Sequence, residues 1–143
     1  MSTWKTVVVG VDGSTPSHKA LAWAAAEASD HRADLVVVNA WEHTIPPPTG
    51  SVSVSERYVP DPSQRTPEDF LQEITKVLGE DPPVLVQPRV KQGAAAKVLI
   101  EESADADLLV VGTRGHGGFK GLVLGSVSQH VAAYARCPVT VVR

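Results

Sequence analysis

The sequence predicts an α/β fold in which a five-stranded parallel sheet is doubly wound, with helices on both faces. Two observations carry that prediction. Short β-branched apolar runs alternate with helical patterns along all 143 residues, giving five strands and four helices. The first four strands are each followed by a helix-length connection, and a parallel return within one sheet requires such a right-handed crossover laid on a face. Length agrees: residues 1–143 fit one domain, able to bury roughly two-thirds of its unfolded surface.

Thr6 to Val11 is a β-branched run suited to a strand covered on both faces. Asp12-Gly13-Ser14-Thr15-Pro16 then supplies a turn with helix-starting chemistry. From about Pro16 to Ser29, Ala20, Leu21, Ala24, Ala25 and Ala28 recur at the spacing of one helix face, and their small size permits close approach to a sheet. Leu35 to Trp41 is a second buried strand. Pro67 follows Thr66, with Asp69 three residues beyond the threonine, which marks a capped helix running to about Leu78. Val84 to Val90 is a third and weaker strand, and Pro88 inside it removes a ladder donor, which assigns this strand to a sheet edge. A helix over Ala94 to Ala104, a strand over Leu108 to Gly112, a helix over Ser126 to Arg136 and a strand over Val139 to Val142 complete the order. The Pro-, Ser- and Thr-rich stretch 43–65, with Pro46-Pro47-Pro48, is too long for an ordinary connector and reads as a lid or a loose insert.

Composition narrows the partners. Thirteen basic against sixteen acidic residues give a formal charge of -3, and no dense Lys/Arg block occurs, so neither a nucleic-acid footprint nor an anionic-membrane footprint is supported. The single Cys137 excludes an internal disulfide, and the apolar run near the N-terminus is too short for a signal segment or a membrane span, so the expected location is cytoplasmic. Cys137 has no neighbouring base in sequence to activate it and reads as a small packing residue. The five histidines, His18, His31, His43, His116 and His130, show no metal-ligand spacing, and no metal site is expected.

Chemistry concentrates after the fourth strand, in Gly112-Thr113-Arg114-Gly115-His116-Gly117-Gly118-Phe119-Lys120-Gly121-Leu122-Val123-Leu124-Gly125-Ser126. Glycines let consecutive amides approach an anion, and the helix starting near Ser126 would aim its open N–H groups and positive dipole end at that anion. A Walker loop and a dinucleotide fingerprint are both absent. What remains is Gly-x-x-Gly, nine residues, then Gly-Ser.

That spacing resembles the nucleotide-binding signature of the universal stress protein family, in the branch that binds ATP. The likeness extends to the opening Val7-Val8-Val9-Gly10-Val11-Asp12-Gly13-Ser14 and to the closing Cys137-Pro138-Val139-Thr140-Val141-Val142. The resemblance implies a Rossmann-like, adenine nucleotide alpha hydrolase-like sheet in the order 3-2-1-4-5, which reverses between the first and fourth strands and opens a crevice there. The loops carrying Asp12 and Gly112–Ser126 leave those two strands. It further implies that Asp12, with Gly13 beside it, contacts the ribose or base amine, and that Ala40, with Val38 near it, reads the adenine edge. Gly112, Thr113 and Arg114 would line the ribose and phosphate side. Gly115 and Gly125 would supply amides, Ser126 and Ser128 hydroxyls, and Val127 a backbone N–H.

Plainer readings stand beside these. Asp12 can serve as a helix cap, the glycines as loop residues satisfying positive φ, and Ala40 as strand packing. Arg114, His116 and Lys120 can clamp phosphates or simply be solvated. The resemblance also implies a homodimer through residues 139–143, an apolar strand open to pairing with its twin. The expected function is an ATP-binding stress-response regulator acting through conformational or interaction state, with Mg²⁺ bridging the phosphates. A slow ATPase or phosphotransferase, and an interaction module independent of nucleotide, are the alternatives. No second carboxylate is placed by motif near the phosphates, which argues against fast turnover.

Overall fold

A computed structural model describes residues 3–42, 66–113 and 125–143. The strands are β1 (Thr6–Gly10), β2 (Asp34–Trp41), β3 (Val86–Gln92), β4 (Leu108–Gly112) and β5 (Val139–Val142). The helices are α1 (Thr15–His31), α2 (Pro67–Leu78), α3 (Ala95–Ser103) and α4 (Ser126–Tyr134). All strands are parallel, in the order β3-β2-β1-β4-β5, as expected. The stretch 43–65 lies outside the described residues.

The period-two alternation of each central strand divides the core into two layers. Val7, Val9, Leu35, Val37, Leu108 and Val110 face α1 and α2, where Ala20, Leu21, Ala24, Ala28, Phe70 and Ile74 meet them. Val8, Val36, Val38, Leu109 and Val111 face α3 and α4, where Val98, Leu99 and Val131 meet them. Burial on both faces explains why these strands read as unbroken valine runs.

The edge position of β3 matches the Pro88 expectation: Pro88 stands opposite Val37, and β2 is the strand to which β3 pairs. Its limits differ from the apolar run. Pairing opens where Leu35 N–H donates to the Leu85 carbonyl and continues to Gln92, because an edge strand carries its backbone ladder through polar residues such as Arg89 and Lys91 as readily as through apolar ones. Helix α1 starts at Thr15 on a Ser14 cap and extends to His31, where Arg32 closes it in the left-handed conformation. Helix α4 ends at Tyr134, two residues early. Ala135 is already extended, and the Arg136 amide donates to Ser103 Oγ of α3 at 2.9 Å instead of continuing the helix.

Candidate functional site

β1 is flanked by β2 on one side and β4 on the other, so the chain order reverses at its carboxyl end. In a doubly wound sheet that end opens into a crevice. The turn leaving β1 is built by its own side chains. Asp12 Oδ1 accepts from the Ser14 amide at 3.0 Å and from Ser14 Oγ at 2.5 Å. Ser14 Oγ in turn accepts from the Ser17 amide, and Ser17 Oγ accepts from the Asp12 amide while donating to the Ser14 carbonyl. Gly13 passes through φ +89, where a Cβ would be strained. The helix cap is therefore Ser14, and Asp12 organises the turn that presents it.

The second wall follows β4. The Thr113 amide donates to the Val142 carbonyl, and the Gly125 amide donates to the Thr113 carbonyl at 2.6 Å, which draws the two ends of the intervening stretch together. Gly125 then stands at the N-cap of α4 with no side-chain cap, and the first intrahelical bond is Gln129 N–H to the Gly125 carbonyl. The amides of Ser126, Val127 and Ser128 precede that bond, which leaves them without an intrahelical acceptor, at the positive end of the helix dipole. Ser128 Oγ donates to the carbonyls of Thr113 and Gly125 and is 2 % exposed, so its proton ties the loop together. What that hydroxyl retains for a ligand is acceptor capacity.

Gly112 joins the two walls. A Cβ there would lie 2.8 Å from both the carbonyl carbon and oxygen of Pro16, so only glycine lets the end of β4 meet the first turn of α1. Asp12, Gly13, Gly112, Thr113, Gly125, Ser126, Val127 and Ser128 thus gather at one end of the sheet. Ala40 lies one strand away, on the α3 side of β2. Arg114, Gly115, His116 and Lys120 lie outside the described residues.

One contributor was not singled out from the sequence. Asn39 follows the last β1–β2 pair, Gly10 opposite Val38, and its Nδ2 donates to the Val11 carbonyl at 2.9 Å. The signal available was an amide closing the valine run Val36-Val37-Val38 inside a strand.

The perturbed titrations lie at the opposite end of the sheet. Asp107 accepts backbone hydrogen bonds from Lys5 and Thr6, which hold its carboxyl below the usual range. Burial, with the Asp107 charge second, pushes the Cys137 thiol up. Among the described residues no group of three or more metal-ligating side chains forms, and no helix is long and apolar enough to cross a membrane.

This geometry joins an acid-organised turn to an open helix N-terminus across the sheet reversal, and the family model for universal stress proteins matches residues 3–143. The chain belongs to the universal stress protein family. Universal stress protein Rv2623 of Mycobacterium tuberculosis is 40% identical over 140 residues, covering 96% of this chain and 44% of that protein. The chain therefore spans less than half the length of that curated relative. A universal stress protein solved in complex with cAMP shares 28% identity at TM-score 0.69, covering 99% of this chain and 98% of the other. UspA from Lactobacillus plantarum superposes at TM-score 0.77 over the full length of both chains, with 16% identity, and shows the shared fold. In this universal stress protein the strand order implied by the sequence resemblance is the order found.

Proposed function

We propose that this universal stress protein binds ATP, for which Mg²⁺ would supply charge neutralisation of the phosphates, and signals through the conformation or interactions of the bound state. The observation that carries the reading is the α4 N-terminus. It begins on Gly125 without a side-chain cap, beside the Asp12 turn, at the point where the sheet order reverses. A polyanion placed there would receive the amides of Ser126, Val127 and Ser128. Asp12 and Gly13 would take the ribose side, Ala40 the adenine edge, and Gly112 and Thr113 the floor, with Arg114 and Gly115 completing the set. The related protein in complex with cAMP supports an adenine nucleotide as the ligand class.

Regulation rather than turnover follows from the chemistry near the α4 terminus. Phosphoryl transfer needs a positioned base, metal ligands and a charge clamp, and Asp12, the carboxylate of the β1 turn, already accepts from the Ser14 amide and hydroxyl. The same proposal takes the chain as one domain, cytoplasmic, and paired with a second copy through β5. That strand's four residues are all partly exposed, and β4 is the described strand that pairs with it.

Isothermal titration with Mg-ATP alongside a phosphate-release assay tests the reading. Saturable binding without phosphate release is expected. Release well above background that disappears in Asp12→Ala would replace it with a slow ATPase. Absence of binding with an intact dimer in size-exclusion chromatography would leave a nucleotide-independent interaction module.

A further inference from the structure

We infer that Asn39 is a positioning residue for the nucleotide site: it clamps the β1–α1 turn from beneath without touching the ligand. The inference rests on the nucleotide reading for its consequence, but its cause is independent of it. Asn39 is 4 % exposed, and its Oδ1 is buried with no hydrogen-bond partner among the described residues. The orientation of the amide is fixed, because the Val11 carbonyl can only accept and so selects Nδ2.

A site buried to this degree, on the face shared by Leu35 and Val37, suits an apolar side chain on stability grounds alone. An orphaned carbonyl oxygen subtracts from stability, and one neutral hydrogen bond does little more than offset it. What the amide adds is position. Val11 is held at both backbone groups by β2, its N–H by the Val38 carbonyl at 2.9 Å and its carbonyl by Asn39 Nδ2. The next residue is Asp12, and the Asp12–Ser14–Ser17 hydrogen-bond set begins there. Beyond Gly10 the β1–β2 ladder has ended, so Asn39 extends strand-like restraint one residue further, into the turn.

Asn39→Leu keeps the branched shape and heavy-atom count, with somewhat larger methyl termini, and removes both the clamp and the orphan, and Asn39→Ser removes the reach with less change in hydrophobicity. Three measurements separate position from stability: the thermal midpoint, the Mg-ATP dissociation constant, and hydrogen exchange at the Asp12 and Ser14 amides. For Asn39→Leu the expected result is a midpoint equal to wild type or higher, exchange at those two amides faster by about tenfold, and a dissociation constant raised by about tenfold. Should Asn39→Leu fail to fold, Asn39→Ser is read the same way. Unchanged exchange in a folded variant overturns the inference, whatever the affinity does. Faster exchange in a protein whose wild type binds no ATP upholds the clamp and sinks the nucleotide reading instead. Faster exchange with wild-type affinity shows that the turn's position does not govern binding, and overturns the functional half.

Discussion

Placing an aspartate at Gly125 should move stability and affinity in opposite directions. Gly125 sits at φ −65 and ψ 163, a conformation open to any residue, so the substitution introduces no backbone strain. Aspartate is among the best N-cap residues, and α4 lacks a side-chain cap, so Gly125→Asp should stabilise the helix by a few tenths to about 1 kcal/mol. In a chain of 143 residues that corresponds to a midpoint raised by roughly 1–4 °C. The same carboxylate takes the Val127 and Ser128 amides from a phosphate and repels it besides. Two unit charges about 4 Å apart oppose one another by about 1 kcal/mol in bulk water and about 4 kcal/mol near a protein surface. Competition and repulsion together exceed about 1.4 kcal/mol, so Mg-ATP binding should weaken more than tenfold. Gly125→Asn retains the cap without the charge and should lose less. Differential scanning calorimetry and isothermal titration on the three proteins read both arms, and wild-type affinity in a stabilised Gly125→Asp protein would falsify the phosphate assignment.

Gly112→Ala should cost about 1–3 kcal/mol in urea unfolding, because the new Cβ meets backbone atoms of Pro16 that cannot swing aside; a loss under a few tenths would show that α1 can slide. Glu102 is 8 % exposed and pairs with Arg89 at 2.6 Å and with Lys91. Both cationic partners are more than 40% exposed and can be resolvated, so Glu102→Gln should cost about 1 kcal/mol rather than the several expected of a fully buried pair, as checked by the same titration. Asp107 is held below its ordinary carboxyl value by the Lys5 and Thr6 amides. Its contribution is complete above the unfolded pKa of about 3.9 and is lost as pH falls through the lower folded value. Acid unfolding followed by circular dichroism should therefore be less steep below about pH 4 in Asp107→Asn, and an unchanged acid limb would refute that linkage.

The sheet was legible because its residues obey one period each. Valine runs on β1, β2 and β4 marked strands buried on both faces, alanines on α1 marked close helix packing, and Pro88 placed β3 at an edge. Strand order was different in kind. No residue encodes which strands are neighbours, and 3-2-1-4-5 comes from the resemblance, with the observed sheet agreeing through the β1 pairs on either side. Boundaries drifted where tertiary bonds decide them, as at Arg136, whose amide is claimed by Ser103. In the site, the loop glycines advertised themselves by composition, but the reason for Gly112 did not. It is a contact with Pro16, remote in sequence, and only the packed α1 reveals it. Asn39 was hidden for the same reason, since its partner is a backbone carbonyl and leaves no trace in composition.

A helix N-terminus is common, so what separates α4 from the others must be something besides its dipole. Each of the four described helices follows a strand and starts at the carboxyl end of the parallel sheet. α1 and α2 have their first amides served by Ser14 and Thr66. α3 begins on Ala94 without a side-chain cap, as α4 does on Gly125, but α3 follows the edge strand β3, away from the sheet reversal. α4 alone among these combines an uncapped start with the neighbouring β1 turn, and Gly112 removes the Cβ that would hold the end of β4 away from the first turn of α1. The perturbed titrations lie at the far end, where the Lys5 and Thr6 amides hold Asp107 down and burial pushes Cys137 up. A carboxylate at Gly125 would meet the Val127 and Ser128 amides, which have no intrahelical acceptor, and so would add a helix cap at the place the proposed phosphate needs, which is why the two readouts of Gly125→Asp should part company.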